Sequence, residues 1–348
     1  MKAPQIKKLK RAARRIKEKF SPRTLILLYH RVTELPTDPQ LLTVTPAHFA
    51  EHLEVLQKYG QILSLRQLTL ALQQGKLPDK TVVVTFDDGY ADNFYHAKPL
   101  LEQYEIPATI FVAAGQIGQK SEFWWDELDR LFLQPGMLPD QGHLNIRGNT
   151  VKWEMGEAAH YDEQAFKTYR QWNITDNVDP SSRQKLYRLL FYEIRNLPNN
   201  ERDEALASLQ RWVGVDAVGR TSHHTLTKEE LICLANSDFI EIGAHTVTHP
   251  ILAALPLEKQ ATEIQQSKTS LESLLGFPVT SFSYPSGGRS DYMTATVTLT
   301  REAGFSSSCS AFAGYVYPHS DMFQLPRFVV RDWNKAEFSD RLVRWVNG

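Results

Sequence analysis

The stretch that decides the fold is TVVVTFDDG at residues 81–89. Its first six residues are β-branched or apolar, which is typical of a strand buried on both faces of a parallel sheet. Two carboxylates follow directly, where the chain leaves the strand. Comparable apolar runs predict six further strands, at residues 25–30, 108–115, 239–245, 279–285, 305–310 and 325–333.

Helical segments alternate with these strands. Thr45-Pro46 and Gly60 mark the two ends of one helix, and the pattern S-x-x-Q at Ser64 is a capping box that begins the next. Further helices are predicted at residues 93–104, 227–235, 255–276 and 291–303. Repeated βα units with apolar strands indicate a parallel sheet covered by helices.

Residues that could carry chemistry follow several strands at their carboxyl ends, namely His30, Asp87, Asp88, His245 and Pro285. In a (β/α) barrel all such ends face one mouth. We therefore predict an α/β fold, a distorted (β/α) barrel of about seven strands with a helical insertion. A doubly wound open sheet is the alternative, but no glycine-rich phosphate loop follows the first strand.

The alternation stops over residues 119–226, where helices are predicted at 123–133, 181–195 and 201–212. We assign this segment as a mainly helical insertion and residues 23–118 and 227–348 as the barrel. Five of the seven tryptophans lie in or next to the insertion. They could form a saccharide-binding lid, because sugar rings stack on aromatic faces, or they could fill the core of a subdomain, which we favour.

Residues 1–22 form a basic amphipathic segment, and residues 1–20 alone contain nine Lys/Arg and one Glu. Such a helix could lie on anionic lipid, or it could be solvated or docked on its own domain. No signal peptide or transmembrane segment is recognisable, so we predict a cytoplasmic protein, with peripheral association at the inner face of the membrane as the open alternative.

Composition excludes several classes of protein. Apolar residues make up 42% and charged residues 23%, which is ordinary for a globular chain and excludes wholesale disorder. Two isolated cysteines, Cys233 and Cys309, support neither a disulfide scaffold nor a cysteine-ligated zinc site. The formal net charge is −1, and we expect no nucleic-acid partner.

Two constellations carry candidate chemistry. Adjacent carboxylates at the end of a buried strand, Asp87 and Asp88, are costly unless a cation is present. His245 and His249 stand four residues apart after a strand and could converge on one ion. An Asp/His/His set with open positions is typical of a catalytic metal site, for which zinc is the default. Iron, cobalt, nickel and manganese are not excluded by the ligand types.

The motifs TFDDG (85–89) and HTVTHP (245–250) together resemble those of the polysaccharide deacetylase family, carbohydrate esterase family 4. The resemblance implies a distorted (β/α) barrel and metal-assisted removal of an acyl group from an amino sugar. It implies that Asp87 is the general base and Asp88 a metal ligand, with His245 and His249 as the other two ligands.

A third motif of the family is only partly matched by SYPSGG at residues 283–288. The resemblance implies that the Ser286 N–H stabilises the oxyanion and that Tyr284 and Pro285 contact substrate. Ser283 stands where the family has an arginine that holds the base. We expect Arg327, in LPRF, to replace it.

The family's last motif, a strand that ends in the acid histidine, is absent from the C-terminus. LLYH at residues 27–30 matches it, as in a circularly permuted barrel, and this order resembles deacetylases that act on poly-N-acetylglucosamine. His30 is therefore expected to be the general acid. Asp332-Trp333 is the candidate for the pair that lines the acyl pocket.

The leading hypothesis is a metal-dependent N-deacetylase that acts on an amino sugar of a polysaccharide or of its lipid-linked precursor. A deformylase or another amide hydrolase with the same site is the first alternative. An inactive saccharide-binding barrel is the second, because the usual arginine is missing and the acid motif is displaced.

Overall fold

The computed structural model describes residues 21–347 of the 348-residue chain. The predicted basic helix over residues 1–20 therefore lies outside the described residues. Within residues 21–347, no helix is long and apolar enough to cross a membrane.

Strands β1, β4, β5 and β10–β13 form one seven-stranded sheet in which every pair is parallel, in the order β12-β11-β10-β5-β4-β1-β13. The first strand of the chain thus pairs with β4 and with the last strand. In chain order, the strands of the described residues are β1 (Thr24–Tyr29), β2 (Arg31–Val32), β3 (Thr43–Val44), β4 (Thr81–Phe86), β5 (Ala108–Val112), β6 (Gly136–Met137), β7 (Gln141–Ile146), β8 (Asn149–Glu154), β9 (His160–Tyr161), β10 (Ile240–Ala244), β11 (Ser281–Ser283), β12 (Ser307–Cys309) and β13 (Phe328–Val329).

The segment from Leu325 to Val329 joins the two edges of this sheet. Leu325 forms a parallel bridge with Cys309 of β12, and Phe328 and Val329 pair with β1. The segment that contains the edge strand β13 thus also bridges to β12 at the opposite edge, which makes the sheet a distorted barrel. The barrel prediction is confirmed, and the doubly wound open sheet is excluded.

Helices cover the outside of the barrel where the sequence predicts them. Thr45 caps the first helix, and Ser64 and Thr227 both form capping boxes. The α-helices of the described residues are α1 (Pro46–Tyr59), α2 (Leu65–Gln73), α3 (Lys98–Gln103), α4 (Trp124–Phe132), α5 (Glu163–Tyr169), α6 (Ser182–Ile194), α7 (Asn199–Val213), α8 (Lys228–Ala235), α9 (Leu257–Leu275), α10 (Thr294–Glu302) and α11 (Lys335–Asn347). A π-helical turn, Asn93–Ala97, precedes α3.

The C-terminal region differs from the prediction. The strand expected over residues 325–333 is regular only over β13, and residues 335–347 form α11, which the sequence reading missed. This helix buries Phe338, Leu342 and Val346 against the barrel core. Their four-residue spacing was the available signal.

The insertion contains its three predicted helices as α4, α6 and α7. It is less helical than expected, because β7 and β8 form an antiparallel hairpin and β6 pairs with β9. It has its own hydrophobic cluster, in which Trp124 and Trp125 of α4 pack with Tyr187 and Leu190 of α6. The aromatic residues therefore do fill a core, as we favoured.

Alternation along the strands places neighbouring residues in two different hydrophobic clusters. Leu27 of β1 and Val84 of β4 belong to the large cluster, which includes residues of most of the covering helices. Ile26 and Val83 belong to a second cluster, which contains Cys309, Leu325 and three leucines of α2. Successive side chains of a strand point to opposite faces. His30 therefore lies on the same face as Ile26, and Asp87 lies on the same face as Val83.

Candidate metal-dependent active site

The two carboxylates of the TFDDG motif reach the same mouth by different routes. Asp87 directly follows β4, on the same face of the strand as Val83. Its N–H donates to the Tyr29 carbonyl at 3.0 Å. Asp88 follows with a positive φ of 76°, a conformation that is uncommon for a residue with a side chain. The turn therefore brings adjacent carboxylates to one site, as the sequence predicts.

Asp87 forms a bidentate ion pair with Arg327. The two guanidinium nitrogens Nη1 and Nη2 lie 2.8 Å and 2.6 Å from the two carboxylate oxygens. Burial raises the pKa of Asp87, but the charge and hydrogen bonds of Arg327, together with His245 and His30, outweigh this effect and hold the pKa below its usual value. The carboxylate is therefore kept ionised although it is buried.

Arg327 is fully buried, and each part of its guanidinium has an acceptor. Beyond the carboxylate, Nε donates to the Ser310 carbonyl at 2.7 Å and Nη2 to the Ser283 hydroxyl at 2.8 Å. Ser283 occupies the motif position where the family has an arginine. It thus contacts Arg327, which we predicted to replace that arginine. The bent segment between β12 and β13 carries Arg327 to this place.

The two histidines follow β10. The N–H of His245 donates to the Val112 carbonyl of β5 at 3.0 Å, and the N–H of His249 donates to the Thr246 hydroxyl at 3.1 Å. Thr246 and His249 have positive φ angles of 64° and 55°. A tight, strained turn thus folds the second histidine back onto the first, and such strain is concentrated at functional sites in many proteins.

Asp88, His245 and His249 form a buried cluster whose potential ligand atoms lie within 4.8 Å of one another. The Asp88 Oδ1 lies 3.5 Å from His245 Nε2 and 3.2 Å from His249 Nε2. Burial raises the pKa of Asp88, but the adjacent His245 and His249 rings outweigh this effect and hold that pKa well below its usual range.

The donor set fits a divalent ion. His245 Nδ1 lies 2.7 Å from the Ser283 carbonyl, which can only accept, so Nδ1 carries the proton and Nε2 offers its lone pair to the cluster. A second partner that orients the ring in this way is typical of metal-ligating histidines. One carboxylate and two imidazole nitrogens match the ligand types of catalytic zinc sites.

Two charged side chains hold the turn that carries His249. Glu263 of α9 accepts from the Val247 and Thr248 N–H groups at 2.8 Å and 2.9 Å. On the other side, Arg202 of α7 donates to the Thr248 carbonyl at 2.7 Å and approaches the His249 carbonyl at 3.4 Å. Arg202 is 3% exposed, and burial lowers its pKa to about 10.

Aromatic side chains from the insertion pack on the His249 ring. The ring centroids of Trp125 and Phe123 lie 4.9 Å and 5.8 Å from that of His249. Trp125 Nε1 also donates to the Tyr90 hydroxyl at 2.9 Å, which in turn donates to Asp126 at 2.6 Å. The insertion thus contacts the second histidine through its ring and through its backbone.

A cavity of about 270 Å³ opens over this cluster. The barrel contributes His30, Asp87, Asp88, His245, His249 and Ser286 to its wall. Burial lowers the pKa of His30, and the charges of Asp88 and Asp87 oppose that effect. Ser286 has a positive φ of 57° and lies at the exposed rim. The structure therefore brings together the predicted catalytic and metal-ligating residues, with Arg327 behind Asp87.

The predicted substrate-binding residues are not among those that line this cavity. Tyr284 is 1% exposed, and its hydroxyl donates to the Phe323 carbonyl at 3.0 Å. Its ring stacks on Tyr292 in the core. Pro285, next to it, is also buried. The Tyr-Pro pair thus shapes the turn before Ser286 rather than presenting a surface to a ligand.

Asp332 and Trp333 also have structural contacts in place of an acyl pocket. Asp332 Oδ1 accepts from the Thr45 N–H at 2.8 Å and lies 2.7 Å from His48 Nδ1, at the start of α1. The Trp333 ring packs edge-on against Trp345 of α11. The pair lies past the end of β13, outside the cavity wall.

Several cavity residues come from segments that the motif analysis did not weigh. The insertion contributes Trp124, Trp125, Phe191 and Arg195, and other loops contribute Gln40 and Arg331. Trp124 and Trp125 therefore both fill the core and face the site. Nothing local in the sequence marks Arg195 or Arg331, because their position depends on how the insertion and the closing segment fold.

A comparison with protein families matches the polysaccharide deacetylase model to residues 74–137 and 206–307. These ranges contain the Asp87-Asp88 turn and the His245–His249 turn. Over these two ranges the chain matches the polysaccharide deacetylase family.

Among curated relatives, YxkH of Bacillus subtilis strain 168, which is named for the same family, is 33% identical over 139 residues. That alignment covers 38% of the chain and 48% of YxkH. The poly-β-1,6-N-acetyl-D-glucosamine N-deacetylase of Staphylococcus aureus strain N315 is 29% identical over 80 residues, which are 23% of the chain and 28% of that enzyme. The matches thus span about half or less of these relatives.

Solved structures agree on the fold. IcaB from Ammonifex degensii aligns with a TM-score of 0.58 at 18% identity, covering 94% of this chain and 98% of that one. The Streptococcus pyogenes deacetylase PplD, solved with acetate, aligns with a TM-score of 0.57 at 17% identity, covering 92% and 99%. At such identities the likeness concerns the arrangement of the barrel and not the substrate.

Proposed function

We propose that this chain is a metal-dependent N-deacetylase that hydrolyses the N-acetyl amide of an amino sugar in a saccharide. The observation that carries the proposal is the single cavity that contains both the Asp88/His245/His249 cluster and the Arg327-held Asp87 carboxylate. The name of the S. aureus relative supports an N-acetylglucosamine polymer as substrate.

Asp88, His245 and His249 would hold a divalent ion, with zinc as the default and cobalt, nickel, manganese or iron as alternatives. When bound, such an ion polarises the acyl carbonyl as a Lewis acid. The supporting observation is that one carboxylate oxygen and two ring nitrogens lie within 4.8 Å of one another in a buried site.

In the proposed mechanism Asp87 is the general base that accepts a proton from the attacking water. Arg327 positions this carboxylate through its two parallel hydrogen bonds and keeps it ionised. The backbone N–H of Ser286 donates to the developing oxyanion at the cavity rim. His30 protonates the departing amine, which is a poor leaving group without a proton.

The alternative of an inactive binding barrel rested on the missing motif arginine and the displaced histidine. Arg327 contacts Asp87, and His30 lines the cavity, so both objections lose their support. No observation favours a formyl or cyclic amide over an acetyl amide, and the assay below distinguishes them.

The experiment is a deacetylation assay with the full chain, supplied with Zn²⁺ or Co²⁺ and with β-1,6-linked N-acetylglucosamine oligomers, and monitored by acetate release and mass loss. Asp87→Asn and His30→Gln should each abolish turnover. Asp332→Asn and His48→Gln are matched controls outside the cavity and should retain it. Turnover in the Asp87→Asn variant equal to wild type would overturn the proposal. So would formate release from the matched N-formylglucosamine oligomers without acetate release from the N-acetylglucosamine oligomers.

We further propose that residues 1–20 attach the enzyme to an anionic membrane surface, near a lipid-linked or membrane-proximal saccharide. Their nine Lys/Arg support this location, and the attraction should weaken as salt rises. Co-sedimentation with anionic vesicles, with and without residues 1–20, tests it. Equal binding by both forms would contradict it.

A further inference from the structure

Two arginines line the cavity beside the proposed catalytic residues, although neither belongs to a motif. Arg331 follows β13 by two residues, and Arg195 ends α6 of the insertion. They belong to separate parts of the chain. Both line the cavity that also contains Asp87 and Asp88, where a substrate is expected, and each carries a delocalised cation.

Arg331 has no carboxylate partner among residues 21–347. Its Nη1 donates to the Leu41 carbonyl, which is the acceptor found for it in the described part of the chain. A guanidinium has five N–H donors, so most of those on Arg331 remain available at the cavity wall. Burial lowers the pKa of Arg331, with Asp38 opposing the effect. The charge is thus partly removed from water without a compensating ion pair.

Arg195 is partly compensated. Its Nη2 lies 3.3 Å from Asp291 Oδ1, and its Nε is a buried nitrogen without a hydrogen-bond partner. Asp291 also accepts from the Gly288 N–H at 3.0 Å, so its charge is shared with the turn that follows Ser286. One donor of Arg195 is therefore still unsatisfied in the described structure.

Buried or half-buried guanidinium groups without an anion are costly, because lost hydration is not replaced. A carboxylate or a phosphate can accept two parallel hydrogen bonds from one guanidinium group and also compensates its charge. Neutral hydroxyl groups of a sugar would satisfy single donors but would leave the charge uncompensated. The described chain also provides no lysine in this wall, so the recognition depends on fork-shaped donors.

We propose that the cavity binds an anionic substituent of the substrate, a carboxylate or a phosphate on the saccharide, through Arg331 with assistance from Arg195. This inference rests on the proposed deacetylase function and adds to it a preference for saccharides that carry an acidic or phosphate group beside the N-acetyl sugar. A carboxylate and a phosphate both offer a pair of anionic oxygens to a guanidinium group. The probes below distinguish the two groups.

The test compares three probes with the full chain. N-acetylglucosamine 1-phosphate carries a phosphate, a disaccharide of glucuronic acid and N-acetylglucosamine carries a carboxylate, and diacetylchitobiose is neutral. Affinity is measured by calorimetry, and kcat/KM by acetate release. Wild type should favour at least one anionic probe over the neutral one by about tenfold in affinity. The favoured probe identifies the source of the anion.

Variants connect this preference to the arginines. Arg331→Gln keeps an N–H for the Leu41 carbonyl but removes the charge, so it should abolish most of the preference. Arg195→Gln should reduce it less, because Asp291 already neutralises part of that charge. Arg344→Gln, on the exposed face of α11, is the matched control and should keep it. If Arg331→Gln fails to fold, the preference for anionic probes is measured in Arg195→Gln alone. A reduced preference supports the inference, and an unchanged one overturns it.

Failure of this inference is distinguishable from failure of the proposed function. If wild type releases acetate from neutral and anionic probes equally, the inference is wrong and the deacetylase function stands. If no probe is hydrolysed but Arg331→Gln weakens binding of an anionic probe, the function is wrong and the anion site stands. An unchanged preference in both arginine variants would overturn the inference.

Discussion

The barrel and the insertion contribute to one site in different ways. The barrel presents its candidate catalytic groups at strand ends, on short turns with positive φ angles at Asp88, Thr246 and His249. The insertion adds no potential ligand to the Asp/His/His cluster and instead holds the His249 turn through Arg202 and Trp125. The chemistry is thus local in sequence, whereas the support for it comes from distant residues.

This comparison explains which features the sequence could predict. Two contiguous motifs sufficed for Asp87, Asp88, His245 and His249, because each pair is separated by at most four residues and follows a strand. His30 and Arg327 could be predicted from short patterns in the first and the last predicted strands of the barrel. The tertiary structure was needed to show that Arg327 lies on Asp87 through the bent closing segment.

The largest predicted effect separates the two adjacent carboxylates of the barrel. Asp88→Ala should lose metal affinity by more than the roughly 10–100-fold that removal of an outer partner costs, because it deletes a proposed ligand. Asp87→Asn should retain the metal and lose about 10²–10⁴-fold in turnover. Cobalt absorption measures binding, and acetate release measures turnover.

Asp332→Asn should change neither quantity, since that carboxylate caps α1. If Asp87→Asn and Asp88→Ala lose the metal equally, the separate assignment of base and ligand is wrong.

The next effect tests the support that the insertion gives. Arg202→Met removes the donor to the Thr248 carbonyl while keeping much of the side-chain volume. We expect about 10-fold weaker metal affinity, because the strained His249 turn loses one of its two supports. Titration with Co²⁺, followed by absorption, gives the affinity independently of activity.

Arg211→Met, exposed on the same helix, is the control and should match wild type. Equal metal affinity in both variants would show that the barrel alone holds the turn, which would contradict the division between the two regions.

The smallest effect concerns the contact between the regions at Asp126. Burial raises the pKa of this carboxyl to about 8, with the Arg31 charge opposing the shift. An unfolded aspartate has a pKa of about 3.9, so the folded protein binds an extra proton between these values. The free energy of unfolding should therefore fall as pH rises from about 4 to about 8.

Asp126→Asn cannot titrate and should lack this contribution. Urea unfolding with a chelator present should give a stability difference between wild type and variant that changes by about 1.4 kcal/mol for each pH unit between about pH 5 and about pH 7, in favour of the variant at high pH. Asp216→Asn, exposed in the same insertion, should show no such change. A pH-independent difference for Asp126→Asn would mean that the buried carboxyl is ionised in the folded protein.

The features that the sequence could not supply are those that depend on long-range packing. The partial motif SYPSGG at residues 283–288 suggested a binding role for Tyr284, but the ring packs on Tyr292, and residues in the 289–325 range that cover it carry no motif. Asp332-Trp333 matched a pattern of two residues only, and its place was set instead by α1 and by the unpredicted α11. Arg202 and Arg331 are unremarkable in sequence, because their roles depend on which turn or cavity they reach.

The central claim is that the barrel turns form one metal-dependent catalytic site. Anomalous diffraction from crystals of the full chain supplied with Zn²⁺ tests it most directly. We predict a single strong peak bound by Asp88 Oδ1, His245 Nε2 and His249 Nε2, next to the Asp87–Arg327 pair. A peak held by other residues, or no peak at saturating Zn²⁺, would contradict the account.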